Sequence, residues 1–474
     1  MKSHPVSLPP LFFTEMWERF SYFGMRSILL LYMYFSVSSG GLGLPQVTAA
    51  SIVSIYGSLI YMSSLIGGYL SDRVLNPYKT VLFGGTLIMS GHIVLAIPGG
   101  VESLFLSLIL IILGTGFLKP NIATMIGLSY KNNEKKKDIG YILFILSINV
   151  GAFISPLIVG YFGQTYSFHL GFSFAAIGML FGVLIYYLSR NKMPADSFKT
   201  SNPLKDYEKK KVKKQILIVL IIAIILVAIM NFFNVLNIEN IILLITIIII
   251  LIPIFFFKNL LNSKKITLKE KLHVKSLIPL FLACMLMFAI YNQIPTALTI
   301  FAQEHIALGW IPVSWIQAID PMFSLITLPL LAVLWKKLEN NPPTTPIKFS
   351  VGLFFSGAAF LVITLPILLY GLNTLLNPIW LILSLFILVI GYSLIYPIGV
   401  SVTSKLSPIK IKAQMMGIWL ISDSVAEAIA SQTIKAYPGN ELFYFGTWGI
   451  VVIIGGIVLF SVRHRITKLM SGVL

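Results

Sequence analysis

The stretch EMWERFSYFG, residues 15–24, places two glutamates and an arginine inside a strongly apolar segment. LPPLFF (8–13) precedes it and MRSILLLYMYF (25–35) follows it, so the segment is long enough to cross a bilayer, where charge is costly. On an α-helix, five polar side chains of this segment fall on one face: Glu15, Glu18, Arg19, Tyr22 and Arg26. Such a face should point to the interior of a helix bundle or to a water-filled cavity.

The composition is that of an integral membrane protein. Of the 474 residues, 57% are apolar and only 11% are charged, with a mean hydropathy of +0.89, which soluble domains do not reach. The apolar runs are continuous rather than alternating, which favours helices over a barrel. Fourteen spans are predicted, at 11–36, 48–71, 80–98, 103–129, 139–163, 170–189, 216–233, 240–257, 276–302, 312–334, 348–370, 377–403, 413–434 and 442–463.

The net charge of +18 reflects membrane topology rather than nucleic-acid binding. Most of the 35 Lys and Arg lie in the termini and in alternate loops, whereas Arg19, Arg26 and Lys119 lie inside spans and Lys435 lies in a loop of the other set. This asymmetry is the positive-inside pattern. It predicts a multi-pass protein of the inner (cytoplasmic) membrane with both termini in the cytoplasm.

Two long charged segments divide the chain into six, two and six spans. The predicted units are an N-terminal six-helix bundle at 1–190, linkers with two extra peripheral helices at 191–275, and a C-terminal six-helix bundle at 276–474. The central pair, QILIVLIIAIILVAIM (215–230) and IILLITIIIILIPIFFF (241–257), lacks the small residues of tight helix contacts, which favours a lipid-facing spacer. Six plus six helices is the plan of many secondary transporters, but topology alone leaves a channel or a membrane enzyme open.

The loop after the second span reads GGYLSDRVLNPYK (67–79). It resembles the Gly-x-Leu-x-Asp-Arg loop of the major facilitator superfamily, with Gly68, Asp72 and Arg73 at the fixed positions. The resemblance implies a major facilitator fold. Gly68 is expected to permit close helix approach, and the Asp72–Arg73 pair to latch the cytoplasmic ends of neighbouring helices.

Several motifs in order along the chain resemble those of the proton-dependent oligopeptide transporter family. EMWERFSYFG is similar to its Glu-x-x-Glu-Arg-Phe-x-Tyr-Tyr-Gly signature, with Phe23 in place of the second tyrosine. Further similar stretches are GTGFLKPNI (114–122), ILSINVGAF (145–153), TTPIKFSVGL (344–353) and AQMMGIWLIS (413–422). Bacterial members commonly carry the same extra helix pair in the middle.

The resemblance implies a role for each matching residue. Glu15, Glu18 and Arg19 match the proton-coupling motif, in which moving the guanidinium on or off an acid changes its proton affinity. Arg26 and Lys119 match cationic positions near the substrate carboxylate, and Lys119 also takes part in coupling. Aromatic and amide side chains match or neighbour pocket positions: Tyr22, Tyr34, Tyr61, Asn149 and Trp419.

The family pattern breaks in the C-terminal half. Asn292 stands before Gln293 where peptide transporters carry an acid, and Tyr392 stands where a glutamate faces the peptide ammonium. Conversely, Asp320 replaces the usual asparagine, and Asp423 adds an acid near Trp419. Glu427 follows one turn later, and for both added acids a solvated or helix-pairing role is as good an interpretation as a functional one.

Two functions fit these exchanges. In one, Asp320 inherits the role of the missing acids in proton or amine binding, and the protein imports di- and tripeptides. In the other, a different substrate, peptide-like or anionic, is held by Arg26 and Lys119. A sensor or channel on the same scaffold is a weaker alternative, because a passive pore needs no proton-linked ion pair.

An enzyme is not expected, because the sequence has no nucleophile with a base, no metal-ligand cluster and no phosphate loop. Protons are the expected coupling ion, with no cofactor or metal. The expected partners are a small-molecule substrate and the lipid bilayer, and a monomer is expected by analogy with the fold.

Overall fold

The computed structural model describes residues 4–131, 137–264, 266–338, 340, 342–408 and 411–470, and it is helical almost throughout. Within these ranges the only β-type pairing is an isolated bridge between Ile306 and Leu376. The α-helices are α1 (Leu8–Tyr34), α2 (Gln46–Arg73), α3 (Pro77–Ala96), α4 (Gly100–Ser129), α5 (Lys137–Thr165), α6 (Phe168–Leu188), α7 (Asp206–Phe232), α8 (Ile238–Asn262), α9 (Leu268–Tyr291), α10 (Thr299–His305), α11 (Ile316–Lys337), α12 (Thr345–Tyr370), α13 (Ile379–Leu406), α14 (Lys412–Thr433), α15 (Glu441–Ser461) and α16 (Arg463–Leu469).

The predicted all-α membrane architecture is confirmed. Twelve segments among the described residues are long and apolar enough to cross a membrane, and one of them, Leu268–His305, joins α9 to α10 through a π-helical turn at Ile294–Leu298. The helices α1 and α14 are 27 and 22 residues long but are less apolar, because they carry the charged side chains noted above. These two helices complete the fourteen predicted crossings.

The helices form two packed halves. In the N-terminal half (α1–α6), α1 packs on α5 and α6, and α4 packs on α2 and α3. In the C-terminal half (α9–α15), α12 packs on α13 and α15, and α9 packs on α12, α13 and α14. Contacts between α2 and α14 and between α5 and α11 join the halves, as in a major facilitator fold.

The loops alternate between two sides of the bundle. One side carries the Lys- and Arg-rich segments and is called the basic side here. Its loops are α2–α3, α4–α5, α6–α7, α8–α9, α11–α12 and α13–α14. Several hydrogen bonds between the halves lie toward the opposite side. Gln46 Nε2 donates to Glu304 Oε1 at 2.6 Å, Ser51 Oγ to the Ser431 carbonyl at 2.7 Å, and Trp315 Nε1 to the Leu157 carbonyl at 3.2 Å. These bonds hold the halves together on that side.

The two extra helices differ in their surroundings. Described side chains of α7 are exposed along nearly its whole length. In contrast, α8 packs one face against α2, α9 and α14, and the Thr246 hydroxyl donates to the Ala428 carbonyl at 3.3 Å. Along the apolar part of the pair, the packing against the rest of the protein is therefore made by α8.

The predicted role of Gly68 is wrong. A Cβ at Gly68 would meet nothing within 4 Å, whereas a Cβ at Gly67 would lie 1.9 Å from the Gly116 carbonyl oxygen of α4. A step of one residue turns a helix by about 100°, so only Gly67 faces α4. The close helix approach therefore depends on Gly67.

The Arg73 side chain reaches the start of α7 rather than Asp72. Arg73 Nη2 lies 2.6 Å from Glu208 Oε1, while the Asp72 side chain is exposed and its carbonyl accepts a hydrogen bond from the Asn202 amide. On the same side, a hydrogen bond from Lys131 lowers the pKa of the Asp196 carboxyl in the α6–α7 linker. This linker is thus tied to two loops of the N-terminal half.

Candidate functional site

Three charged side chains of α1 form one buried cluster. Arg19 Nε lies 3.1 Å from Glu15 Oε1 and also contacts Glu18 Oε2, and all three side chains are at most 5% exposed. The Arg19 guanidinium carbon lies 5.5 Å from the centre of the Tyr22 ring, and that of Arg26 lies 5.9 Å from the same ring. These contacts confirm that the five side chains share one face of α1.

An ion pair inside the membrane region joins the two halves. Arg26 Nη2 of α1 lies 2.7 Å from Glu427 Oε1 of α14, and the side chains are 10% and 1% exposed. The absence of a side chain at Gly57 of α2 makes room for this acid, because a Cβ there would lie 2.1 Å from Glu427 Oε2. Glu427 was not among the predicted site residues, because the sequence shows it only as an acid one turn after Asp423.

The GTGFLKPNI segment brings α4 very close to α2. Pro120 has no amide hydrogen, which frees the Gly116 carbonyl, and this carbonyl points at the bare Gly67 of α2. Asn121 Nδ2 then donates to the Gly67 carbonyl at 3.2 Å and to the Phe117 carbonyl at 2.7 Å. The glycines and the amide therefore fix the position of the residue between them, Lys119.

Lys119 projects toward α2 and the charged cluster. Its Nζ lies 4.1 Å from the centre of the Tyr61 ring, which is a cation–π distance. Arg19 and Asp423 are among its charged neighbours, but no carboxylate in the described part of the chain lies within 4.0 Å of it. Lys119 is therefore available to an anionic group of a ligand.

At the end of α9, an amide stands where the family pattern has an acid, and this amide donates a hydrogen bond to an acid on α14. Asn292 Nδ2 donates to Asp423 Oδ1 at 2.5 Å, and both side chains are buried. Tyr61, Lys119 and Arg26 surround the same carboxylate. The negative charge that the family pattern places on α9 therefore lies on α14 in this protein.

Asp320 of α11 is half-buried and retains a free oxygen. The Tyr291 hydroxyl donates to Asp320 Oδ2 at 2.6 Å, and the Ser324 hydroxyl is also near this carboxyl. Among the described residues, Oδ1 has no hydrogen-bond partner within 3.5 Å. The Tyr291 ring stacks on Tyr392 at 4.5 Å, and Tyr392 stacks on Tyr396 at 5.3 Å, each at 15°. The tyrosine at the expected glutamate position is thus part of an aromatic wall beside Asp320.

Two predicted amide residues bond to their own helices. Asn149 Nδ2 donates to the Ile145 carbonyl at 3.0 Å. Gln293 Nε2 donates to the Ala289 carbonyl at 2.7 Å, and its buried Oε1 has no partner. These side chains are not joined by hydrogen bonds to the charged cluster.

Two predicted aromatic residues lie apart from the charged cluster. Tyr34 is twelve residues beyond Tyr22, which is about 18 Å further along α1. Trp419 is buried between Phe281 and Phe349, with ring centres 6.4 and 6.3 Å away. Trp419 therefore packs as a core side chain of the C-terminal half.

The fold and the site together define a class of protein. Two packed helical halves enclose acids and cations that are buried on α1 and α14 and half-buried on α4 and α11. Charges so costly to bury lie in membrane proteins where substrates or ions pass. The arrangement is that of a secondary transporter of the major facilitator type.

Comparison with known proteins identifies the family. The POT family model matches residues 78–441. The di-/tripeptide transporter of Lactococcus lactis subsp. cremoris is 40% identical over 491 residues, which cover 99% of this chain and 97% of the relative. The chain therefore belongs to the POT family and is a multi-pass membrane protein.

Solved structures of the family have the same fold. The crystal structure of a peptide transporter POT in complex with sulfate is 44% identical, with a TM-score of 0.96 and coverage of 99% of this chain and 96% of the other. The structure of a POT family transporter in complex with 5-aminolevulinic acid is 38% identical, with a TM-score of 0.93 and coverage of 98% and 97%.

Proposed function

We propose that the protein is a proton-coupled symporter that imports di- and tripeptides or peptide-like small molecules by alternating access. The observation that carries the proposal is the buried cluster in which Glu15 and Glu18 share Arg19. The similar Lactococcus lactis protein is a di-/tripeptide transporter. Another relative binds 5-aminolevulinic acid, a small molecule with an amine and a carboxylate.

Proton coupling follows from competition for one guanidinium. When Glu15 or Glu18 binds a proton, that acid no longer attracts Arg19, and the remaining interactions of Arg19 must change. Because the cluster is nearly dry, the interaction energies are larger than in water. Protons are then the coupling ion, and no cofactor takes part.

Alternating access requires that contacts between the halves break and reform. The Arg26–Glu427 pair holds α1 against α14, on the side where other hydrogen bonds also join the halves. Loss of this pair, by proton binding to Glu427 or by a substrate carboxylate that competes for Arg26, would weaken the closed side. This step couples substrate and proton binding to the movement of the halves.

The substrate ends are assigned to opposite halves. Lys119, which has no carboxylate within 4.0 Å among the described residues, takes the substrate carboxylate from the N-terminal half. Asp320, whose Oδ1 is free, takes the substrate ammonium from the C-terminal half. The aromatic wall of Tyr291, Tyr392 and Tyr396 then contacts side chains of varied shape.

A second candidate is the import of an anionic small molecule without an amine. The observation that favours it is that the acids already have partners, whereas one cation has no acidic partner among the described residues. In the described part of the chain Lys119 forms no ion pair, whereas Asp423 and Glu427 already accept hydrogen bonds from Asn292 and Arg26. In that case Asp320 would have no substrate partner.

The distribution of Lys and Arg supports the orientation. With the basic side in the cytoplasm, both termini are cytoplasmic and the side on which the halves are held together is extracellular. We assign the protein to the inner membrane as a monomer, and we assign the +18 charge to topology rather than to nucleic-acid binding.

Uptake of labelled dialanine into proteoliposomes with an inward proton gradient tests the proposal. Saturable accumulation that an uncoupler abolishes is expected. Asp320→Asn should raise the KM for dialanine at least tenfold, as expected for loss of a charged hydrogen bond. Asp206→Asn, which neutralises an exposed acid at the start of α7, is the control and should stay at wild type. Failure of every di- and tripeptide to be taken up or to compete would refute peptide transport, and unchanged uptake by Asp320→Asn would refute the amine assignment.

A further inference from the structure

A groove between α11, α12 and α13 lies near the basic side of the C-terminal half. Its volume is about 330 Å³, and its lining includes Trp335, Lys348 and Lys405. Trp335 is in the last turn of α11, Lys348 in the first turn of α12, and Lys405 in the last turn of α13. Helix ends of this kind lie at the boundary between hydrocarbon and water.

The groove faces away from the charged cavity. The α13 residues that line it include four at every fourth position, Ser393, Pro397, Ser401 and Lys405. At about 100° per residue, their mean direction is roughly 140° from that of Tyr392 and Tyr396, which stack on the cavity side with Tyr291. Ile379 and Leu383, which lie on the same face of α13 as the groove residues, are 57% and 41% exposed. Large exposed apolar side chains on a membrane-spanning helix face lipid, so the groove opens to the bilayer.

The positive charge in the groove is not neutralised by the described residues. Lys348 Nζ lies 4.5 Å from the centre of the Trp335 ring, and Lys405 is its charged neighbour. No acid is among the residues that line the groove. Neither lysine forms an ion pair in the part of the chain that the structure describes. Two lysines that repel each other form a site for a shared anion.

The rest of the lining is mainly aliphatic, with Leu328, Leu331, Ala332, Ile398 and Val402 among its members. The hydroxyl residues Thr345 and Ser401 lie within one helical turn of Lys348 and Lys405 in sequence. A ligand with an anionic head and an apolar tail would contact both the lysines and the aliphatic side chains. A free anion would leave the aliphatic side chains uncovered.

We propose that this groove binds an anionic phospholipid from the leaflet on the basic side. The phosphate lies between Lys348 and Lys405, and an acyl chain follows the aliphatic surface of α11 and α13. Basic pockets between membrane helices on the cytoplasmic side are suited to anionic headgroups. The site is separate from the transport cavity and does not depend on the identity of the substrate.

Thermal unfolding of the purified full-length protein in an uncharged detergent tests the proposal. Phosphatidylglycerol should raise the unfolding midpoint in a saturable way, because a ligand that binds only the folded state stabilises it. Phosphatidylcholine and inorganic phosphate should not. The double variant Lys348→Gln/Lys405→Gln should bind phosphatidylglycerol about 25-fold more weakly. Lys213→Gln/Lys214→Gln, two exposed lysines of α7, is the charge-matched control and should bind like wild type.

If the double variant does not fold, quenching of tryptophan fluorescence tests the proposal in a protein that keeps both lysines. Phosphatidylglycerol with brominated acyl chains should quench tryptophan fluorescence more in the wild type than in Trp335→Phe, and brominated phosphatidylcholine should quench both equally. The proposal is overturned if the lysine variant keeps wild-type affinity, if inorganic phosphate stabilises as well as the lipid, or if brominated phosphatidylglycerol quenches both proteins equally.

Discussion

The ion pair between Arg26 and Glu427 should couple strongly in a double-mutant cycle. The variants are Arg26→Gln, Glu427→Gln and the double. The atoms lie 2.7 Å apart with side chains 10% and 1% exposed, so each single variant leaves a buried charge without its partner, at a cost of about 3–5 kcal/mol. The double variant leaves two neutral amides that can bond to each other. Its free energy of unfolding should therefore fall by about 2–3 kcal/mol less than the sum of the singles.

The control for this cycle is the ion pair between Arg73 and Glu208. Its atoms are equally close, at 2.6 Å, but the side chains are 17% and 28% exposed. Partly hydrated pairs contribute about 0–1 kcal/mol, so the cycle of Arg73→Gln and Glu208→Gln should give a coupling below about 1 kcal/mol. Reversible unfolding in SDS, followed by circular dichroism, measures both cycles under one condition. A coupling for Arg26–Glu427 no larger than that for Arg73–Glu208 would refute a tightly coupled, desolvated pair between the halves.

Two further substitutions follow from close contacts. Gly67→Ala should lower the free energy of unfolding by about 1–3 kcal/mol through overpacking against the Gly116 carbonyl. Gly68→Ala, where space is open, should change it little. Chemical denaturation measures both variants, and equal effects would contradict the helix contact. Tyr61→Leu should raise the KM for dialanine about fivefold more than Tyr61→Phe, because phenylalanine keeps the ring that lies against Lys119; proteoliposome uptake measures the ratio, and equal KM values would contradict the role of the ring.

The helices were predictable because each apolar run matches the thickness of a bilayer. The run after LPPLFF became α1, and the spacing of its polar residues correctly placed Glu15, Arg19, Tyr22 and Arg26 on one face. The ends were less predictable. Helix α7 begins at Asp206, ten residues before the predicted span, because its charged first turns remain helical outside the apolar region.

Contacts between distant segments could not be predicted from one sequence. Nothing local shows that Glu427 meets Arg26, since the pairing also requires the bare Gly57 of a third helix. Likewise, the loss of the acid at Asn292 signals a missing charge, but only the folded chain shows that Asp423 lies 2.5 Å from that amide.

The motif match also predicted the wrong glycine for the contact between α2 and α4. The loop motif favoured Gly68, and only the geometry of α4, where Pro120 frees the Gly116 carbonyl, shows that Gly67 is the contact. A match identifies a local pattern, while the direction of a side chain depends on the neighbouring helix.

Proton coupling through α1 can be separated from substrate binding by one comparison in proteoliposomes. Glu18→Gln is measured in two modes, accumulation of dialanine driven by an inward proton gradient and counterflow exchange of dialanine without a gradient. If Glu18 and Glu15 carry the proton around Arg19, the variant should lose accumulation and keep counterflow. Accumulation at the wild-type level would contradict coupling through this cluster, and equal loss of both modes would show that the cluster only holds the helices in place.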